Sequence, residues 1–418
     1  MNIESPKSQS IAQNTQKTSV RLSMDQCIKC NICQSHCPVA AVTGAFPGPK
    51  YAGPQAERFR VVGDGIEISP MLCNGCGVCS SVCPNDVAVS DIITLAKAEV
   101  SEGGQNLSLG QRLLNRPDLI GKLASPLPWL SNILLGNGAL RTLVEKTFGI
   151  DRNAPLPKIK GREFARWFAQ HKQPEGPEVA YFQGCSTGYF DPKVGMDLVR
   201  LLNTLGLRVK VPTDLCCSLP MLSSGEVEAA KPRARALIDD LRPTVLARVA
   251  IVATSTSCSM TLRSKYQTYL GMEDDDAKAV GRSVVDICEY LRDNLQGQLS
   301  AKLNPLPIKV LYHGPCQLRS HRTGLPAVTL LRLIPGMDLE LSSADCCGIG
   351  GTYGYDVKKR EISNAIGATL VSQALRSKPD LIVCDSETCR WNIEAQTGVT
   401  TIHPVQLLLH AILGKATP

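Results

Sequence analysis

Aromatic residues are scarce in this sequence: Phe, Trp and Tyr make up 5% of its 418 residues, and no run of Lys and Arg stands out. Base-stacking platforms and phosphate-tracking stripes are therefore missing, which argues against nucleic acid as a partner. No G-x-G-x-x-G opens a helix and no P-loop is present, so nothing cradles a dinucleotide or a nucleotide phosphate. Long apolar runs are missing too. The longest candidate, Leu119 to Leu140, is broken by Lys122, Pro126, Pro128, Asn132 and Asn137. It falls short of the roughly 18 clean apolar residues of a membrane span, so no transmembrane helix is expected. Met1 to Val20 lacks the apolar core and cleavage site of a signal peptide, and residues 1–22, rich in Ser, Gln, Asn, Thr and Lys, read as a disordered tail. The rest is ordinary for a soluble globular chain: 43% hydrophobic, 20% charged, and long enough for two or three domains. A net charge of +7 suits an anionic lipid surface or an acidic partner subunit, and equally a basic cytosolic protein without either.

Cysteine is abundant instead, with 18 residues. Thiols in ligand spacing, without a signal peptide, point to a reducing cytosol and not to a disulfide framework. One pattern is written twice: Cys27, Cys30, Cys33, Cys37-Pro38, and 46 residues later Cys73, Cys76, Cys79, Cys83-Pro84. Both copies read C-x2-C-x2-C-x3-C-P, the spacing of two-cluster ferredoxins, in which three thiolates wrap one cluster and the fourth turns to the other. The spacing therefore predicts one [4Fe–4S] cluster on Cys27, Cys30, Cys33 and Cys83 and a second on Cys73, Cys76, Cys79 and Cys37. Zinc sites come as two C-x-x-C pairs and fit a four-cysteine run less well.

The ferredoxin module is expected over residues 23–100. Between its cysteine runs, Phe46-Pro-Gly-Pro-Lys-Tyr-Ala-Gly-Pro54 and the residues to Arg60 read as a loop outside the compact core, its Lys50, Arg58 and Arg60 offered to a partner or to solvent. Val89 to Val100 has helical spacing and is expected to pack against the clusters. In the connector, residues 101–175, Leu107, Leu109, Leu113, Leu114, Leu119, Ile120, Leu123, Leu127, Trp129, Leu130, Ile133, Leu134 and Leu135 interleave with Arg112, Arg116, Lys122 and Arg141. Short helices broken by prolines, apolar on one side and basic on the other, describe an interfacial membrane contact or a linker packed on its own domain.

From residue 178 the chain repeats. Tyr181-Phe-Gln-Gly-Cys185 is answered 131 residues later by Tyr312-His-Gly-Pro-Cys316, and Ile251 to Cys258 by Ile382 to Cys389 at the same offset. Cys216-Cys217 is answered by Cys346-Cys347. The repeat marks an internal duplication, with lobes at 178–300 and 301–418. Strands are expected at Val179–Phe182, Arg208–Val211, Val249–Ala253, Lys309–Tyr312 and Leu381–Cys384. Helices are expected at Asp197–Leu205, Glu226–Leu241, Val284–Leu295 and Ile362–Leu375. The alternation implies two α/β lobes with parallel sheets and cysteines on loops at strand ends. Adjacent cysteines bridge each other poorly, so Cys185, Cys216, Cys217 and Cys258, and likewise Cys316, Cys346, Cys347 and Cys389, read as candidate metal cages. Cys288 reads as structural, and Cys384 as a buried cysteine or a substitute ligand. The glycines of Gly348-Ile-Gly350-Gly351 let backbone amides approach a cluster, and His313 and His321, flanking Cys316, are candidate proton carriers.

The C…CC…C arrangement resembles the cysteine-rich CCG domain shared by heterodisulfide reductase and related iron–sulfur subunits. Cys346-Cys347-Gly348 keeps that pattern's glycine and Cys216-Cys217-Ser218 does not. Ser255 and Ser386 replace the first cysteine of its closing C-x-x-C, which disfavours the non-cubane cluster of the catalytic enzymes. The whole arrangement is an α+β ferredoxin-like two-[4Fe–4S] module followed by two duplicated α/β CCG lobes. It resembles the electron-transfer subunits of anaerobic glycerol-3-phosphate dehydrogenase, glycolate oxidase and lactate-utilisation enzymes. Cys27-Ile-Lys-Cys30, the Pro-Gly-Pro-Lys-Tyr-Ala-Gly-Pro54 loop with Glu57-Arg58, Tyr312-His-Gly-Pro-Cys316 and Asp385-Ser-Glu-Thr-Cys389-Arg-Trp391 favour the first, the family of its C subunits. The resemblance implies an iron–sulfur subunit without catalytic residues. It implies two [4Fe–4S] clusters, with a further Fe–S cluster in each CCG lobe if the lobes are filled. Its partners would be a flavoprotein dehydrogenase subunit that carries the FAD and an accessory subunit. Its electrons would go to a menaquinone-type quinone, with the chain peripheral on the cytoplasmic face of the inner membrane. The alternatives are a glycolate or lactate oxidase subunit, a catalytic subunit of the heterodisulfide-reductase type, and a zinc-stabilised scaffold.

Overall fold

The structure, a computed structural model, describes residues 20–61, 69–102 and 107–415. Almost all of the expected N-terminal tail lies outside them. The first module is built on α1 (Val89–Glu102), whose Ile92, Ile93, Leu95, Ala96 and Lys97 are buried on every side. A helix buried all round is a hub and not a surface stripe, and both cysteine runs pack on it, each containing one short helical turn that carries its third cysteine, Ile32–Ser35 and Val78–Ser81.

Two expectations fail here. The insertion between the runs is helical, Tyr51–Gln55 and then Ala56–Arg60, and lies in the module's core. Gly53 sits so close to α1 that a Cβ there would lie 3.1 Å from Val89. Glu57 is fully buried between Arg21 and Arg60, at 3.2 and 2.7 Å. Arg58 donates to the carbonyl of Met24 at 2.8 Å, and Lys50 donates to Asn31. The three cations hold the module together. The prolines and glycines suggest a loop, whereas the buried acid between two arginines forces helix and core. The second failure is the α+β assignment: among the described residues up to 102 there are helices and turns and no strand.

The connector forms four short helices: α2 (Leu109–Leu114), α3 (Pro117–Ala124), α4 (Pro128–Gly136) and α5 (Gly138–Phe148). Pro117 and Pro128 open α3 and α4 at the first turn, where a missing N–H costs nothing. Two of the four interleaved basic residues turn inward, Arg116 pairing with Glu226 at 2.9 Å and Arg141 donating to the carbonyl of Ala154 at 2.6 Å, whereas Arg112 and Lys122 are exposed. The apolar residues face out, with Leu109 70%, Leu123 73%, Trp129 62% and Ile133 61% exposed.

Each lobe is a four-stranded parallel sheet. The first comprises β1 (Glu178–Phe182), β2 (Arg208–Lys210), β3 (Ile251–Ala253) and β4 (Val284–Asp286) in the order β2-β1-β3-β4. The second comprises β5 (Lys309–Tyr312), β6 (Asp338–Leu341), β7 (Leu381–Val383) and β8 (Thr401–Ile402) in the order β6-β5-β7-β8. Val179 and Tyr181 point to one side of the first sheet and Ala180 and Phe182 to the other, all buried, as a parallel sheet covered on both faces requires. The duplication extends to the join. Helix α6 (Pro192–Thr204), which follows β1, packs on α9 (Pro404–Leu413); α7 (Ile287–Ser300), which follows β4, packs on α8 (Pro326–Leu331). Val179, Tyr181, Val310 and Tyr312 thus share one core across both lobes.

β4, β6 and β8 escaped the sequence reading. β6 is a half-exposed edge with no apolar run, and β8 is two residues long. β4 is the start of the stretch read as the helix Val284–Leu295; Asp286 ends the strand, and its Oδ1 caps α7 by accepting the Cys288 N–H at 2.9 Å.

Candidate iron–sulfur centres

Both cysteine runs reverse direction around their second cysteine. Lys29 and Asn31 flank Cys30 at φ +61° and +67°, and Gly75 and Gly77 flank Cys76 at +71° and +78°. Left-handed residues either side of a ligand turn successive amides inward, a shape that stabilises anions. The Gly75 and Ala40 N–H groups donate to the sulfurs of Cys73 and Cys37, both at 3.4 Å. The structure brings Cys27, Cys30, Cys33 and Cys83 around one cavity near the surface, where Cys30 is exposed. The thiol of Cys33 is pushed up by burial and then by Cys27, Cys83 and Cys30. Deeper in, Cys73, Cys76, Cys79 and Cys37 gather: burial pushes the Cys79 thiol well up, aided by Cys76, Cys73 and Cys37, and burial pushes Cys37 to about 11.

The eight lobe cysteines form two matching chains. Cys185 meets Cys216, which adjoins Cys217, and Cys217 Sγ lies 3.3 Å from Cys258 Sγ. Cys316 meets Cys346, which adjoins Cys347, and Cys347 Sγ lies 2.9 Å from Cys389 Sγ. The fold brings all eight to one cavity of about 120 Å³ between the lobes, and Cys76 of the first module lines it as well. The sequence assigns each lobe its own cage and says nothing of this shared chamber.

The adjacent cysteines are held by the same device in both lobes. The Gly348 N–H donates to Cys346 Sγ at 3.3 Å with φ +93°, and the Ser218 N–H donates to Cys216 Sγ at 3.4 Å with φ +59°. Ser218 takes the left-handed conformation without being glycine. Gly348 has no such freedom, since a Cβ would lie 2.1 Å from the Ser363 carbonyl oxygen.

Other candidates fall elsewhere. Cys288 is buried in the core shared by the lobes, and Cys384, buried beside Cys389, does not line the chamber. His313 is buried, its basicity lowered by that burial, with Nδ1 3.3 Å from Ser342 Oγ. His321 lies against the Thr256 carbonyl, where burial also lowers it. Neither histidine lines the chamber. Ser386 and Glu387 do, and Ser255 Oγ donates to Glu387 at 3.2 Å. Glu387 was legible only as part of a matched segment, because a single acid two residues before a cysteine carries no signal of its own.

The donor set suits iron–sulfur clusters. The groups are all thiols, backbone N–H groups already point at several sulfurs, and Lys265, the basic side chain along the chamber wall, is paired to Asp91 at 2.8 Å. Nine thiols gathered around one buried cavity call for a metal centre.

Comparison with known proteins agrees. Residues 23–87 match the family described as "4Fe-4S dicluster domain", and residues 179–263 and 310–394 each match the family described as "Cysteine-rich domain". The chain is 35% identical to the C subunit of the anaerobic glycerol-3-phosphate dehydrogenase of Escherichia coli K12 over 401 residues, 93% of this chain and 99% of that one. It is 27% identical to the B subunit of the fumarate reductase (CoM/CoB) of Methanothermobacter marburgensis, covering 88% of this chain and 67% of the relative. It is 25% identical to a probable glycolate oxidase iron-sulfur subunit of Bacillus subtilis, covering 92% and 93%. With its dicluster module, its paired cysteine-rich lobes and full-length similarity, the chain belongs to the family of anaerobic glycerol-3-phosphate dehydrogenase C subunits, a family of iron–sulfur electron-transfer proteins.

Proposed function

We propose that this chain relays electrons from a flavoprotein glycerol-3-phosphate dehydrogenase subunit, which carries the FAD, to a menaquinone-type quinone at the cytoplasmic face of the inner membrane. In this reading Cys27, Cys30, Cys33 and Cys83 hold one [4Fe–4S] cluster and Cys73, Cys76, Cys79 and Cys37 another. Cys185, Cys216, Cys217 and Cys258 hold a further cluster, and Cys316, Cys346, Cys347 and Cys389 its counterpart. When bound, such clusters carry electrons one at a time.

The observation that carries the reading is the order of the thiols through the molecule. They run from exposed Cys30, through the buried second set, to Cys76 on the wall of the chamber shared by both lobes. The residues around them supply position and insulation: α1 spaces the first two sets, and amide donors favour the thiolate form. The exposed end is where a flavoprotein partner would dock. The outward apolar face of α3 and α4 suits peripheral attachment to a membrane, and no described helix is long and apolar enough to cross one.

Iron and acid-labile sulfide analysis of the anaerobically purified protein, with low-temperature EPR, tests it. Filled lobes give about sixteen irons per chain and an unfilled pair about eight. Zinc without iron would overturn the reading. The upstream substrate is decided by whether glycerol 3-phosphate, glycolate or lactate reduces the clusters through a co-purified flavoprotein.

A further inference from the structure

The connector encloses a second, larger cavity of about 610 Å³, within the roughly 300–1,000 Å³ of small-molecule sites. Ile120, Leu135, Val144 and Ile159 form its connector side; Phe190 and Trp391, edge to face with centroids 6.2 Å apart, belong to its lobe side. Leu123 and Phe148 line it and are themselves exposed, so its mouth is continuous with the outward apolar face. Its inner end abuts the thiol chamber: Cys185, Glu387 and Thr388 line both.

We infer that this cavity is the binding site of an isoprenoid quinone, its tail leaving through the apolar mouth and its ring seated beside Cys185. The inference rests on the relay proposed above and locates its outlet. The lining selects the class of ligand. Among the described residues no Lys, Arg or His lines the cavity, and Glu387 is its single acid, so a phosphate or carboxylate headgroup finds no counter-charge. A neutral ring with carbonyl oxygens finds hydroxyl donors in Ser186, Thr352 and Thr388 at the inner end. Reduction of the ring to the quinol takes two electrons and two protons. The upstream alcohol gives up two electrons as it becomes a ketone, and water at the polar end supplies the protons.

The test is binding of 2-heptyl-4-hydroxyquinoline N-oxide, a quinol mimic, to the assembled complex, read by quenching of its fluorescence. Val144→Trp, which fills the cavity, is expected to weaken binding at least tenfold with iron content and dithionite-reducible spectrum unchanged. Thr388→Val, which keeps the volume and removes the hydroxyl, is expected to weaken it several-fold even if the larger substitution perturbs folding. Leu130→Ser, exposed on the same helices but outside the cavity, is expected to bind like wild type. An azidoquinone should label peptides within 113–159 or 387–391. Unchanged binding in iron-replete Val144→Trp and Thr388→Val, or labelling elsewhere, overturns the assignment. If the wild type reduces quinone and these variants do so equally, the cavity is wrong and the relay stands. If the wild type binds the mimic here but passes no electrons to quinone, the relay fails and the site stands.

Discussion

Asp286 closes β4 of the first lobe, and Asp385 follows β7 of the second. The two carboxylates and the Cys288 thiol lie within 4.8 Å of one another in the core. Tyr312 donates to Asp385 at 2.6 Å, whereas Oδ2 of Asp286 has no partner among the described residues. The equivalent contact on the other side of the duplication is neutral: the His403 Nε2–H donates to the Thr254 carbonyl at 2.9 Å. Burial raises both acids, with Asp286 reaching about 8 and also pushed up by Asp385. An unfolded aspartate titrates near 3.9, so between about pH 4 and 8 the folded chain binds the extra proton and stability falls as pH rises, by up to about 1.4 kcal/mol per pH unit. Asp286→Asn should therefore gain stability over wild type as pH increases from 5 to 8. Melting temperatures of both proteins across that range check it, and a pH-independent difference would refute it.

At the scale of elements, α4 stands out for its apolar exposure. Like α5 it has no buried residue, and Trp129, Leu130, Ile133 and Leu134 cover its outer surface. Its attachment is polar: Asn132 Nδ2 donates to the Ile159 carbonyl and Oδ1 accepts the Ile159 N–H, both at 2.8 Å. A helix held by a two-bond clamp with its apolar side outward is built to place that side against something apolar. Substituting Trp129, Ile133 and Leu134 by Ser should leave the melting temperature within about a degree or two, since exposed positions contribute little to folding. It should lower partitioning onto anionic vesicles about tenfold per side chain if each buries about 1.4 kcal/mol of apolar surface in lipid. Vesicle sedimentation measures this, and unchanged partitioning removes α4 from the membrane contact. The insertion at Tyr51–Arg60 teaches the opposite lesson: glycine and proline there shape a bend, and the element's place is set by Glu57 between Arg21 and Arg60.

Across the whole molecule, the first module is anchored to the lobes by buried charges. Lys265 reaches Asp91 of α1 and lies over the Tyr269 ring at 5.0 Å. Lys97 donates to the carbonyls of Cys73 and Ser223 at 2.7 and 3.0 Å, and Gln317 donates to that of Gly75 at 3.1 Å. These ties hold the second cysteine run against the chamber. Lys265→Ala leaves Asp91 buried without its partner and should destabilise the protein by about 3 kcal/mol. Asp91→Asn in the same chain should recover a large part of that loss. Denaturant unfolding of the single and double variants checks it; additive losses would mean that the pair is not coupled.

The sequence by itself determined what is local and periodic. The C-x2-C-x2-C-x3-C-P runs, the duplicated CC pairs and the apolar lead-ins of β1, β3, β5 and β7 are short-range patterns. Cluster spacing and strand burial impose them directly on the residues. Edge strands such as β6 were invisible because a half-exposed edge needs no apolar run. The insertion was misread because only the folded chain brings Arg21 to Glu57, across 36 residues. Tertiary structure alone decided three things: that eight lobe thiols and Cys76 share one chamber, that Asp286 meets Asp385, and that the connector arches over a cavity reaching Cys185. Each of these depends on how the two duplicated lobes and the connector pack on one another, and a long-range packing arrangement of that kind leaves no periodic signal in the segments it joins.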